Sequence, residues 1–379
     1  MKKIVHIITK LELGGAQLNA VYSVNYFAEL GFDATLVFGS GGILDKSLIN
    51  PKVKQFEIPE LIRNINPFRD AAALIKLFIF LKKNKFDIIH THSSKAGILG
   101  RFAAKLAGSK KIFHTVHGWG FTPNQNFLKR RLFIFLEKIA ARFTDKIIVV
   151  AKDNILKGLD NNIGCENKYV LIRSGIDFKK FEMAYNLDIQ KKNKIKSGLG
   201  IKPGNITIIM TACFKPQKNP LEFVKIASIL NNRFSNLNFI LIGGGELKNV
   251  IEQEIKRFGL DNKITLTGWR KDVENFLISA DIFCLTSLWE GLPRSILEAF
   301  ACRLPVIASR VDGTPEVVIH NETGFLYECG DIESAVKYFE ILIKDKTKRA
   351  EFGKAGFNLV NQEFSIEKML NDLKLLIDQ

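Results

Sequence analysis

DIFCLTSLWEGLPRSILEAFACRLPVIASRVDGTPEV, Asp281 to Val317, is the stretch that decides the fold. It opens on Ile282 to Leu285, an apolar run of strand length. The polar turn Thr286-Ser287-Leu288-Trp289-Glu290-Gly291 follows, and Pro293 and Ser295 mark a helix that runs to about Cys302. Pro305-Val306-Ile307-Ala308 then reads as the next buried strand. Strand, loop, helix and strand in that order make one unit of a parallel α/β sheet. In such a unit the loop leaving the strand and the helix start behind it form an anion site. Unbonded backbone N–H groups and the helix dipole point the same way there.

Two carboxylates bracket that site, Glu290 in the loop and Glu298 in the helix. An anion-holding helix start between two groups that only accept hydrogen bonds suits a ligand with phosphates and many hydroxyls, and a nucleotide sugar is such a ligand. Ser295-Ile296-Leu297-Glu298 equally fits a capping box, in which Glu298 reaches back to a helix-end N–H. The local pattern leaves both open.

The longer pattern is more specific. Glu290-Gly291-Leu292-Pro293, Leu297-Glu298-Ala299, Ala301-Cys302, Pro305-Val306-Ile307-Ala308 and Gly313-Thr314-Pro315-Glu316 resemble, in order, the E-x7-E block of the retaining glycosyltransferases of family 4. The resemblance implies an α/β GT-B fold, two Rossmann-like domains with parallel sheets facing a central cleft. It further implies that Glu298 hydrogen-bonds the donor's ribose and that Glu290 contacts hydroxyls of the transferred sugar. Backbone N–H groups around Gly291, Leu292 and Pro293 would hold sugar and diphosphate.

Composition bounds the rest. A chain of 379 residues exceeds one ordinary core and argues for two domains. With 46% hydrophobic and 25% charged residues it is globular. No apolar run approaches the roughly 18–20 residues of a membrane span. MKKIVHIITKLELGG reads as a first strand rather than a signal peptide, so a cytoplasmic protein is expected. Five scattered cysteines without a C-x-x-C pair argue against a disulfide framework or a zinc site. The net charge of +16 attracts nucleic acid, anionic lipid or phosphorylated substrates without choosing among them. In the absence of an RNA-binding, helix-turn-helix or zinc-finger signature, no nucleic-acid partner is expected.

Along the first half, apolar strands are expected at Lys3–Ile8, Ala34–Phe38, Phe86–Thr91, Ile112–His117, Lys146–Val150 and Tyr169–Arg173. Gly14-Gly15, opening the helix after the first strand, resembles the family's glycine loop facing the donor phosphates. His92-Ser93-Ser94-Lys95-Ala96-Gly97 resembles a segment of bacterial surface-polysaccharide members of the family. His92, Lys95 and the loop residue Arg63 are the acceptor-side candidates, although Arg63 fits a solvated loop arginine as well. His117-Gly118 sits at a strand's carboxyl end, where open parallel sheets bind ligands, and a near-neutral imidazole suits contact with a hydroxyl or phosphate. His6 and His114 read as core residues.

Asn126 to Arg142 alternates basic and apolar positions at helical spacing, with Leu128, Leu132, Phe135, Leu136 and Ile139 on one face. It reads either as an ordinary domain helix with a basic end or as a face for an anionic membrane surface. The second reading places the protein peripherally on the inner face of the cytoplasmic membrane.

Ser174-Gly175-Ile176-Asp177 resembles the turn that ends the family's first domain. The expected division is an acceptor-side domain of residues 1–177, joined by a C-terminal helix at about 365–379, and a nucleotide-sugar domain of 178–364. Phe178 to Pro203 is lysine-rich and polar, as a linker would be. Thr211 to Asn219 resembles the family's loop beside the leaving diphosphate, with Lys218 at its lysine position. Cys213 stands where most members have arginine, and Lys215 is the candidate replacement for that charge. Gly244 and its neighbours would abut the diphosphate, and backbone groups near Trp269 and Arg270 would read the nucleobase.

The resemblance thus implies a metal-independent retaining transferase. It would move a hexose or N-acetylhexosamine from a UDP-sugar, the donor substrate, to a lipid-linked saccharide acceptor in surface-polysaccharide assembly. His117, Lys218 and Glu290 form its catalytic set, no metal ligand is assigned, and no cofactor is needed. Two rivals remain open. A non-hydrolysing UDP-sugar 2-epimerase would need no acceptor, and a basic membrane or nucleic-acid binding module would not need the intact acids.

Overall fold

The computed structural model describes residues 1–122 and 125–379. The chain divides into two compact units, residues 1–174 with 367–379, and residues 175–366.

The first unit holds seven strands: β1 (Lys3–Lys10), β2 (Asp33–Gly39), β3 (Lys54–Glu57), β4 (Ile88–His92), β5 (Lys111–Val116), β6 (Lys146–Val149) and β7 (Tyr169–Leu171). They pair in the order β3-β2-β1-β4-β5-β6-β7, every pair parallel. The second unit holds β8 (Ile206–Thr211), β9 (Leu237–Ile242), β10 (Ile264–Gly268), β11 (Ile282–Leu285), β12 (Val306–Ser309) and β13 (Gly324–Tyr327), ordered β10-β9-β8-β11-β12-β13 and again all parallel. Parallel strands need crossover helices, which cover both faces, so the strands are uninterrupted apolar runs rather than alternating ones. β11 and β12 are buried at every position. In each sheet the strand order reverses once, between β1 and β4 and between β8 and β11. Ligand sites of open α/β sheets collect outside the carboxyl ends of the strands at such reversals.

Two segments differ from expectation. Residues 178–203 are no linker: they form the helices Phe178–Tyr185 and Ile189–Gly198 and belong to the second unit. The first buries Phe181 and Ala184, packs against the Arg294–Ala301 helix, and is capped by Asp177 accepting from the Lys179 N–H. The strand β3 was not expected, because it is a sheet edge whose four residues are all exposed.

The unit boundaries fall at 174/175 and 366/367 rather than at 177 and 364. The last helix, Ile366–Asp378, packs within the first unit through Met369, Leu373, Leu376 and Ile377, one stripe of a 3.6-residue period. Among the described residues no helix is long and apolar enough to cross a membrane.

Candidate functional site

The second unit's site is built where β8 and β11 end side by side. Just past β11, the Thr286 hydroxyl donates to the carbonyls of Lys218 and Asn219, at 3.0 and 2.9 Å. The Leu288 N–H donates to Gln217 O at 2.7 Å, and Gln217 Nε2 donates to Trp289 O at 3.0 Å. These bonds lash the loop after β8 to the loop after β11. They bring Lys218 onto Glu290: Lys218 Nζ donates to Glu290 Oε1, and Ser287 Oγ donates to the same oxygen at 2.5 Å. Asp312 fixes the loop from below, its Oδ2 accepting from the Glu290 N–H at 2.6 Å. Ser309 Oγ donates to Ser287 O at 2.5 Å. Glu290 is thus buried, oriented by one oxygen, and able to accept from a ligand hydroxyl with the other.

The Arg294–Ala301 helix begins beside this cluster, with Pro293 as N-cap and no side chain capping it. The capping-box alternative for Glu298 is not what forms. Arg294 Nε donates to Glu298 Oε1 at 3.1 Å along the helix side, and Ser295 Oγ is buried without a partner. Arg294 also donates from Nη1 to Gly175 O at 2.9 Å, so Glu298 is held outward by a residue that is itself anchored. The N–H groups of the helix's first turn, from Arg294 on, therefore meet no capping side chain.

The turn Gly243-Gly244-Gly245 packs against the same loop, with the Phe214 N–H donating to Gly244 O at 2.9 Å. Gly243 and Gly245 have φ of +137° and +151°, and a Cβ on Gly243 would stand 1.8 Å from Ala212 O. A Cβ on Gly244 would stand 2.7 Å from Trp269 Nε1, so Trp269 lies over the glycine turn with 44% of its surface open. Arg270 is paired bidentately with Asp272, at 2.9 and 2.8 Å, which leaves the backbone there as the part open to a ligand. Lys215 is half-buried one turn before Lys218, whose N–H donates to Lys215 O at 3.0 Å.

In the first unit, the helix Gly15–Glu29 starts at Gly14, which is extended and makes no side-chain cap. Arg63 pairs with Glu12 at 3.5 Å on the surface. Lys95 is engaged inside the unit by Asp70 at 2.6 Å and by Asn64 O, so its charge closes a loop onto a helix. His92 is not presented to an acceptor at all: it is buried, and both its nitrogens have partners. Its Nε2 lies 2.9 Å from His6 Nδ1, and its Nδ1 lies 3.2 Å from Nε2 of the half-buried His117. His90 Nε2 contacts Thr115 Oγ1 at 2.7 Å, and His114 Nδ1 contacts Thr91 Oγ1 at 2.9 Å. Burial disfavours the charged form of all five imidazoles. It holds His6 down to about 3 and His117 to about 4, and drives His90, His92 and His114 well below the ordinary value.

The residues that position Glu290 were not singled out from sequence. Ser287, three residues earlier, lay in plain view in the polar turn, whereas Asp312 and Ser309 join the site only through the β12 register.

Comparison with known proteins shows the family. Residues 13–180 match the family model described as Glycosyltransferase Family 4, and residues 191–359 match the one described as Glycosyl transferases group 1. The chain is 35% identical to the UDP-Gal:alpha-D-GlcNAc-diphosphoundecaprenol alpha-1,3-galactosyltransferase of Escherichia coli, over 99% of this chain and 97% of that one. It is 30% identical to the N,N'-diacetylbacillosaminyl-diphospho-undecaprenol alpha-1,3-N-acetylgalactosaminyltransferase of Campylobacter jejuni, over 77% of each. Its fold matches that of HepE from Anabaena, solved in complex with UDP-glucose, with a TM-score of 0.83, 20% identity and all of both chains covered. Two Rossmann-like parallel sheets, two matched family models and near-full-length identity make this chain a member of glycosyltransferase family 4 with the GT-B fold.

Proposed function

We propose that this enzyme transfers a hexose or N-acetylhexosamine, galactose first among the candidates, from a UDP-sugar to a saccharide carried on a polyprenyl diphosphate in surface-polysaccharide assembly. The observation that carries the reading is the 35% identity over 99% of the chain to an enzyme named for such a reaction. The site supports it chemically. Lys218, with Lys215 one turn away, and the uncapped helix start after Pro293 meet the negative charge that develops on the departing diphosphate. Contacts of this kind contribute about 2.7–4 kcal/mol each to lowering a barrier, by analogy with oxyanion donors. Glu290 accepts from hydroxyls of the transferred sugar, Glu298 from the ribose, and the Gly244 turn with the backbone at Trp269 and Arg270 bounds the nucleoside end. Gly14 and Gly15 supply N–H groups to phosphate, and His117 donates to a sugar hydroxyl or phosphate. Arg63 is the acceptor-side residue left on the surface. The anomeric configuration is retained by a front-face route, with the leaving phosphate helping to take the acceptor's proton, and the positive groups of the protein stand in for a metal.

The same enzyme works as a peripheral protein at an anionic membrane, on its cytoplasmic side. Phe127, Leu128, Leu132 and Phe135 of the Phe127–Arg142 helix are exposed beside Lys129 and Arg131. Phe68 is 89% exposed at the start of the Pro67–Asn84 helix, and both helices pack against the Ser94–Leu106 helix. An apolar row edged with basic residues matches the interface of anionic lipid, where a polyprenyl acceptor resides.

Incubation with UDP-galactose, UDP-glucose, UDP-N-acetylglucosamine and UDP-N-acetylgalactosamine, each with a GlcNAc-diphosphate-lipid acceptor, tests the reading by mass spectrometry. One donor should add one sugar, and NMR of the product should show the donor's anomeric configuration. Epimerised nucleotide sugar without acceptor, and no disaccharide from any donor, would sink it.

A further inference from the structure

His6, His92 and His117 form a chain of ring-nitrogen contacts from the core to the end of β5. His6 Nδ1 faces His92 Nε2 at 2.9 Å, and His92 Nδ1 faces His117 Nε2 at 3.2 Å. A neutral imidazole carries one N–H and one bare lone pair. Each contact needs one proton, so only two arrangements satisfy both. In the inward arrangement His117 Nε2–H donates to His92, His92 Nε2–H donates to His6, and His6 is left with its proton on Nε2. In the outward arrangement every proton sits on Nδ1, and His6 Nε2 is bare.

His6 Nε2 decides between them. It is buried and has no hydrogen-bond partner among the described residues. An N–H donor stranded in a core is among the rarest features of native proteins, whereas an unfilled acceptor is better tolerated. The outward arrangement avoids the stranded donor. His90 follows the same logic: its Nδ1 is buried without a partner, so its proton belongs on Nε2, donated to Thr115 Oγ1.

We infer that His92, oriented by His6, is a positioning residue that fixes His117 as the Nδ1–H tautomer and turns that N–H toward substrate. The inference rests on the role given above to His117. Nδ1 of His117 has no hydrogen-bond partner among the described residues, so the fixed N–H is available to a hydroxyl or phosphate oxygen. An imidazole in water prefers its proton on Nε2, and in that form His117 would offer substrate only a lone pair. The three imidazoles of His6, His90 and His92 also stand close enough to be read as a metal site, with one ligand atom from each within 4.8 Å of the others. Both nitrogens of His92 are already engaged, by His6 and by His117, which argues against that, because His92 would have to give up one of these contacts to bind an ion.

Long-range ¹H–¹⁵N correlation of the histidine-labelled, metal-free enzyme at pH 7 tests the inference directly. His117 should show a protonated Nδ1 and a bare Nε2. His92→Asn, which keeps a donor near the Nδ1 position, should retain that pattern, and His92→Leu should shift His117 toward the Nε2–H form. With the tautomer lost, kcat should fall on the order of tenfold, the loss of about one hydrogen bond's worth of barrier, with donor KM little changed. Should His92→Leu fail to fold, the wild-type spectrum and His92→Asn still decide. A wild-type His117 protonated on Nε2 overturns the inference, and so does stoichiometric metal in the enzyme as purified. A His117→Ala enzyme at full rate beside the expected spectrum overturns the role of His117 in catalysis but not the tautomer.

Discussion

Arg101 and Glu137 lie side by side in the interior of the first unit, Nη2 to Oε2 at 2.6 Å, with neither side chain more than 3% exposed. The pair joins the Ser94–Leu106 helix to the Phe127–Arg142 helix, and Arg101 Nε also donates to Gly97 O at 2.8 Å. Removing one member of a buried pair strands the other charge, at about 3–5 kcal/mol. Glu137→Ala should therefore lower the stability of the first unit by that amount in urea unfolding. A loss below about 1 kcal/mol would mean the pair is hydrated in solution, as exposed pairs are.

Lys218 and Glu290 share one contact, and the proposed reaction gives them different roles. Lys218→Ala should reduce kcat by about 10²–10³-fold, the usual effect of removing one preorganised group facing a developing negative charge. Glu290→Gln should raise donor KM and lower kcat together, since it weakens both the sugar contact and the hold on Lys218. Steady-state rates with the active UDP-sugar measure both, and thermal melts of each variant check that the fold is intact. A Lys218→Ala enzyme within a few fold of wild type would remove this lysine from the diphosphate site.

The buried histidines should make the first unit acid-labile well above the carboxylate range. In the unfolded chain each protonates near pH 6.5, whereas in the fold His6 resists to about 3 and His117 to about 4. Between those values the unfolded state binds more protons, so stability is fully present above about pH 6.5 and is lost as pH falls. Each imidazole that stays neutral only in the fold steepens the fall by up to about 1.4 kcal/mol per pH unit. Urea midpoints at pH 7.5 and pH 5 should differ sharply, and His6→Phe should narrow the gap. Equal midpoints would contradict the buried, neutral state.

The exposed apolar row predicts lipid binding with a dependence on charge. The enzyme should co-sediment with phosphatidylglycerol vesicles, less so as salt rises, and weakly with phosphatidylcholine alone. A fully inserted Phe or Leu contributes about 1.5–3 kcal/mol, so Phe127→Ser with Leu128→Ser should weaken partitioning roughly tenfold or more. Undiminished binding of the double variant would place the lipid contact elsewhere.

How much of this was legible depended on where each element takes its stability. β11 was readable to the residue because a strand covered on both faces is a solid apolar run ended by a polar turn. β3 left no such trace, since KQFE is exposed at all four positions of a sheet edge and carries no apolar run. The Phe178–Tyr185 helix hid among lysines, burying just Phe181 and Ala184 as it packs against a neighbouring helix. The Phe127–Arg142 helix was read from its leucines, yet it turns Glu137, Ala140 and Ala141 inward. No local pattern announces that Arg101 is waiting for Glu137. Likewise Lys218 and Glu290 were each visible alone, but their contact follows from β8 and β11 being neighbours, a property of sheet order.

The helix Ile366–Asp378 carries one more consequence. It packs in the first unit, yet the ribosome makes it only after all of residues 175–366. The rest of the first unit therefore emerges early and waits, without Met369, Leu373 and Leu376 to pack against, until synthesis has passed the whole intervening unit. During translation the half made first is the last to be finished.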